Sequence, residues 1–299
     1  MKVLIFGCGF SGKAIGERLS AKGHVISGTT RAQGKFDSLR DSAVQPLQFD
    51  GAALNEAVSA AMADATHVVV SIAPPREENL DNPDARVDPL LNAFGDESLR
   101  ALMPNLQWIC YLSTVGVYGN HDGDWMDETA ELSPTSARSR QRVRAENEWI
   151  DAAKSNALPL SIFRLSGIYG PGRNALRSAS EGRSRRLIKK GQVFNRIHVR
   201  DIAKATELAI EKSASGVFNV TDDEPAPPQD VITFAHQLLG SEPPPEMDFE
   251  TAELSPMARS FYGDNKRVSN ARSKAELGMD YDWPNYRAAL KRMFDENDW

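Results

Sequence analysis

Apolar residues fall in short runs separated by stretches of helical or loop character. KVLIF opens the chain, and SGKAIGERLSAK behind it has the spacing of an amphipathic helix. HVISGTTR reads as a second strand, AVQPLQFDG as a third, THVVVSIAPP as a fourth, LQWICYLST as a fifth and LPLSIFRLSG as a sixth. Strand alternating with helix predicts an α/β fold, a doubly wound parallel sheet, because crossover helices cover both faces and bury each strand on two sides. After Gly167 the pattern changes to loops, basic stretches and isolated helices, with strand character returning at QVFNRIHV and GVFNVT. Proline clusters at EPAPPQ and SEPPPE punctuate the last third.

Composition narrows the class. A chain of 299 residues can bury a sizeable core, and a net charge of −6 argues against general nucleic-acid binding. MKVLIFGCGF resembles a leader only superficially: its apolar run is short, glycines interrupt it and no cleavage site follows, so it reads as a buried strand. No membrane span is indicated. Cys8 and Cys110 both lie in apolar runs, which predicts packing thiols in a reduced, cytoplasmic protein. The histidines show no metal-ligand spacing, HDGDW reads as an acidic surface loop, and no metal is expected.

GCGFSG, at 7–12, follows the first strand directly and opens the first helix. Alone, GxGxxG is a weak signal; at this place in a βαβ unit it is a strong one. Gly7 allows the tight turn, Gly9 lets the backbone approach a pyrophosphate, and Gly12 lets helix and strand pack closely, while the helix N-terminus favours the anion. A site selective for NAD places an acidic residue about twenty positions on. Here the second strand ends in GTTR, where Arg31 with Thr29 and Thr30 suits a 2′-phosphate, so NADP is favoured and NAD is the alternative. Asp50, closing the third strand, is placed either to reach an adenine edge or to form the turn before Gly51.

Taken in order, GCGFSG, LQFD, VSIAPP, STVGVYG, GIYGPGR, RIHVRDIA and VFNVTDDEP resemble the signposts of the extended short-chain dehydrogenase/reductases, in the NAD-dependent epimerase/dehydratase branch. The likeness covers nearly the whole chain and implies a Rossmann-like sheet with a smaller C-terminal substrate lobe. It divides the chain into a dinucleotide-binding lobe, 1–168 and 198–220, interleaved with a substrate lobe, 169–197 and 221–299. It also implies cofactor contacts at Phe10 and Ser11 in the turn and at Ala73 after the fourth strand, and a homodimer by analogy.

In that family a hydroxyl on the fifth strand and a Tyr-x-x-x-Lys pair on the next helix carry the chemistry. Thr114 supplies the hydroxyl, four residues before Tyr118. Counting back from Glu146 puts the tyrosine position at Arg138 and the lysine position at Arg142, and no tyrosine occurs between Tyr118 and Tyr169. Tyr262 and Lys266 match the spacing in YGDNK, but Gly, Asp and Asn between them favour a turn, and the match is a coincidence. Residues four apart share a helical face, so Arg138 and Arg142 face the cofactor while Arg140 and Arg144 point outward. Arg142 can donate to ribose hydroxyls. Arg138 cannot give up a proton, but it can stabilise an oxyanion or clamp a carboxylate or phosphate. The alternative is a solvated run paired with Glu146, Glu148 or Asp151. Tyr118, or else Tyr169, is the candidate proton donor.

The stretch GPGRNALRSASEGRSRRLIKKGQVFNRIHVR holds the densest positive charge in the chain. The resemblance implies substrate contacts there at Tyr169, Arg173, Arg196 and His198, and ARSFYGDNKR adds Arg259, Tyr262 and Lys266. The expected function is an NAD(P)-dependent oxidoreductase or epimerase with an atypical site, acting on a small anionic or sugar-like substrate. The alternative is a catalytically inactive NADP(H)-binding sensor or regulatory protein.

Overall fold

The computed structural model describes residues 1–75 and 85–299. Strands β1 (Lys2–Phe6), β2 (Val25–Thr30), β3 (Gln45–Gln48), β4 (His67–Val70), β5 (Trp108–Thr114), β6 (Leu160–Leu165) and β7 (Gly216–Val220) form one parallel sheet, in the order β3-β2-β1-β4-β5-β6-β7. This is the Rossmann-like, doubly wound arrangement. Every residue of β4 and β6 is buried, which is why these strands read as mostly apolar runs rather than alternating ones, with His67, Ser161 and Arg164 as buried polar exceptions. QVFNRIHV does not join the sheet: only Arg196–His198 is strand, and it pairs in parallel with Gly167–Tyr169 outside it.

Six helices matter for the site: α1 (Phe10–Ala21), α2 (Glu56–Asp64), α3 (Ala137–Ser155), α4 (Val199–Glu211), α5 (Pro228–Leu239) and α6 (Tyr286–Asp295). Ile15 and Leu19 of α1 and Ile202 and Ala205 of α4 fill one face of the sheet, while Val58 and Met62 of α2 and Trp149 of α3 fill the other. Truncating any one of the large residues among these would cost about 2–5 kcal/mol. A separate core of Leu176, Val231, Trp283, Tyr286 and Leu290 holds α5 and α6 together in the smaller C-terminal lobe. Ser136 starts α3, its hydroxyl accepting from the Ser139 amide at 3.2 Å, a cap that contributes about 1 kcal/mol. Strand order reverses between β1 and β4, and their carboxyl ends open the crevice where ligands bind in such sheets. Among the described residues no helix is long and apolar enough to cross a membrane.

Candidate functional site

The turn after β1 has the geometry that the glycines require. Gly7 has φ +81, and a Cβ there would sit 2.8 Å from Ile72 Cγ1. A Cβ on Gly12 would meet Cys8 Sγ and Ile5 Cγ2 at 3.2 Å, so this glycine lets α1 lie against β1, whereas Gly9 faces open space. No side chain caps the N-terminus of α1, leaving its first amides for a ligand. Ser11 is buried in that first turn, and Ala73 is exposed beyond β4.

At the end of β2, Arg31 is exposed, and Lys13 reaches the neighbouring Ser38 hydroxyl at 3.0 Å. Thr29 belongs to the fold instead of a phosphate site: it is buried, and its hydroxyl accepts from the Gly7 amide at 2.8 Å. Asp50 is exposed, and its Oδ1 accepts from the Ala52 amide at 2.9 Å, the turn-forming role of the two foreseen for it.

Beyond β5 and β6 lies a cavity of about 410 Å³ whose wall includes Thr114, Arg138, Ser166, Tyr169, Arg196 and Lys266. Thr114 ends β5, and its hydroxyl accepts from the Gly116 amide at 3.1 Å while retaining its own proton to donate. Arg138 stands on the first turn of α3, exposed at the cavity and 5.1 Å from the Phe261 ring centre. Arg142, one turn on, reaches back to β5, with Nη1 donating to the Leu112 carbonyl at 2.9 Å and to the Tyr111 hydroxyl at 3.1 Å. Among the described residues Ser166 Oγ and Tyr169 Oη are both buried without a hydrogen-bond partner, and burial pushes the Tyr169 phenol well above its ordinary pKa.

The arginine run is only half solvated: Arg138 and Arg140 are exposed, Arg142 and Arg144 partly buried. Glu146 is buried and pairs with Arg164 at 2.9 Å, and Glu148 accepts from the amides of Val87 and Asp88 at 2.7 and 2.8 Å. Arg144 is not outward but partly buried, donating to the Ala85 carbonyl at 2.6 Å, whereas Arg140 is exposed.

Three expectations need correction. Tyr118 is fully buried, its hydroxyl donating to Asn219 Oδ1 at 2.8 Å and accepting from Arg164 Nη1 at 3.0 Å, so it braces the buried Glu146–Arg164 pair rather than facing the cavity. His198 is also fully buried, stacked 3.9 Å from the Trp283 ring centre, and burial with Arg200 and Arg292 nearby pulls it down to about 3. It packs the C-terminal lobe as a neutral ring. Arg173 lies over the Phe10 ring at 5.7 Å, at the cofactor turn instead of the cavity.

Lys266 is the residue undervalued by a search confined to the helix after β5. It is buried, bonds the Gly119 carbonyl and lies 3.4 Å from Asp264, while burial lowers its pKa. Its signal was the basic cluster in ARSFYGDNKR. Tyr262, its partner in the spacing match, stacks on Phe249 at 4.9 Å. Arg259 lies over the other aromatic partner of that stack, 5.0 Å from the Phe249 ring centre. Among the described residues no group of three His, Cys, Asp or Glu is placed to hold a metal.

Comparison with known proteins agrees with this architecture. Protein YeeZ of Escherichia coli K12 is 26% identical, the match covering 95% of this chain and 96% of that protein. A solved structure of a functionally unknown conserved protein from Silicibacter pomeroyi is 43% identical, with TM-score 0.88 and 99% of each chain covered. UDP-glucuronic acid 4-epimerase from Bacillus cereus, solved with UDP-glucuronic acid and NAD, shares the fold at TM-score 0.76 and 20% identity, over 99% of this chain and 98% of that one. The family model described as NAD dependent epimerase/dehydratase matches residues 3–221. With that match spanning the sheet, the glycine turn and Thr114, the chain belongs to the NAD-dependent epimerase/dehydratase family.

Proposed function

We propose that this protein is an NADP(H)-linked oxidoreductase or epimerase acting on a small anionic substrate. The observation that carries the reading is the placement of Thr114 and Arg138 on one cavity wall, at the carboxyl edge of the sheet that bears the glycine turn.

A bound nicotinamide would supply or accept hydride. The chain's own residues would do the rest. Phe10, Ser11 and Gly12 would hold the pyrophosphate on their backbone amides and the positive end of α1, in the turn that Gly7 and Gly9 shape. Arg31 meets the 2′-phosphate. Ala73 borders the nicotinamide end, Asp50 shapes the turn that follows β3, and Arg142, fixed on β5, donates to the ribose. Arg173, lying on Phe10, supports the phosphate side rather than the substrate. Thr114 donates to the reacting oxygen, and Arg138 stabilises negative charge that develops there. Of the two phenols considered, Tyr169 is the one on the cavity wall, and burial holds it protonated, which suits a donor and not a base.

The test is a titration of the full chain with NADPH and with NADH, followed by nucleotide fluorescence. NADPH should bind about ten-fold more tightly or better, and Arg31→Ser should erase the difference. Equal affinity for both nucleotides in the parent protein would contradict the preference; binding of neither would contradict the reading itself.

A further inference from the structure

Arg196 stands on the cavity wall opposite Gly167 in the short parallel ladder, so no side chain flanks it from that strand. Its Nη1 donates to the carbonyl oxygens of Phe194 at 2.9 Å and Ala226 at 3.1 Å. These bonds fix the guanidinium plane and leave the Nε–Nη2 edge unused. Among the described residues Arg196 makes no ion pair. Asp222 acts on Arg196 electrostatically, but its Oδ1 accepts from the Glu224 amide at 3.3 Å and, among the described residues, its buried Oδ2 has no hydrogen-bond partner. Burial pushes the Asp222 carboxyl well above the usual carboxylate range, while the charge of Arg196 pulls it back. A largely desolvated guanidinium that closes no ion pair among the described residues leaves its free edge for an anion in the cavity.

The unused edge presents two parallel N–H bonds, a fit for two oxygens of a carboxylate or of a phosphate. The wall charge agrees, since Arg138, Arg196 and Lys266 outnumber Asp264. Resting on the oxidoreductase reading above, we propose that the substrate is a small oxo or hydroxy carboxylic acid whose carboxylate pairs with Arg196 while its reacting oxygen faces Thr114. In the reducing direction the oxo carbon takes a hydride from the reduced nicotinamide and its oxygen takes a proton, giving the hydroxy acid and oxidised cofactor.

The experiment is calorimetric titration of the full chain, with and without saturating NADP+, using short 2-oxo acids, their methyl esters and inorganic phosphate as probes. The parent should bind an acid and not its ester. Arg196→Met should weaken the acid about ten-fold or more and Arg196→Lys less, each leaving NADP+ affinity within about two-fold. Acid and ester binding alike, phosphate displacing the acid at equal concentration, or a folded Arg196→Met binding the acid as the parent does would each overturn the proposal. Should both variants fail to fold, the acid and ester comparison on the parent decides. NADP+ binding with no acid bound sinks this site alone, whereas an Arg196-dependent acid site in a protein that binds no NADP+ sinks the oxidoreductase reading instead.

Discussion

The guanidinium of Arg138 lies 5.1 Å from the ring centre of Phe261, joining the first turn of α3 to the C-terminal lobe across the cavity. A cation held this way keeps its charge at the cavity with no carboxylate partner among the described residues, which suits a clamp on an anion. The expected outcome for Arg138→Ala is a KM about ten-fold higher for the acidic substrate with cofactor affinity unchanged. Phe261→Ala should move KM in the same direction by only a few-fold, since such an exposed cation–π contact contributes about 0.5–1 kcal/mol. Steady-state kinetics on the two variants checks both.

Tyr118 fills a structural position between Asn219 and Arg164. Tyr118→Phe should therefore lower unfolding free energy by about 1–3 kcal/mol, while kcat per folded molecule stays within about two-fold. Glu146→Ala, which leaves Arg164 buried without its charge partner, should cost about 3–5 kcal/mol. Urea denaturation measures both, and a collapse of kcat in a folded Tyr118→Phe protein would return that phenol to the chemistry.

The sheet was readable because buried parallel strands are written as apolar runs and because the glycine turn has a fixed place after the first of them. Thr114 was readable for the same reason, as the last residue of a strand. Spacing alone could not reveal which way a side chain turns. Tyr118 is close in sequence to Thr114, yet it points into the protein because Arg164 and Asn219 offer its hydroxyl two partners. His198 lies two residues beyond Arg196 on one short strand, but stacking on Trp283, remote in sequence, takes it out of reach. Lys266 enters the cavity through a C-terminal turn that returns beneath Gly119, a contact across 147 positions with no local signature.

His198 gives the stability a pH dependence. Its folded pKa of about 3 lies below the ordinary imidazole value of 6.5, so the unfolded chain takes up a proton that the folded one refuses. Its contribution is complete above 6.5 and is lost as pH falls toward 3, by up to about 1.4 kcal/mol per pH unit. Asp201, pushed up to about 7 by burial, acts in the opposite sense as pH rises from the carboxylate range toward neutrality, so the parent curve alone does not isolate the ring. Comparing His198→Asn with the parent does. Between neutral pH and pH ~5 the parent should lose about 2 kcal/mol more stability than the variant, and equal losses would contradict a neutral buried imidazole.

Single-turnover oxidation of NADPH, followed by its absorbance with a panel of short 2-oxo acids in the parent protein and in Thr114→Ala, tests the catalytic account most directly. The parent should consume NADPH with at least one acid, and Thr114→Ala should be about 10²–10³-fold slower with cofactor affinity within about two-fold. Tight NADPH binding with no oxidation by the parent across the panel would contradict it in favour of a nucleotide-binding sensor, and equal non-zero rates in the two proteins would contradict the role given to Thr114.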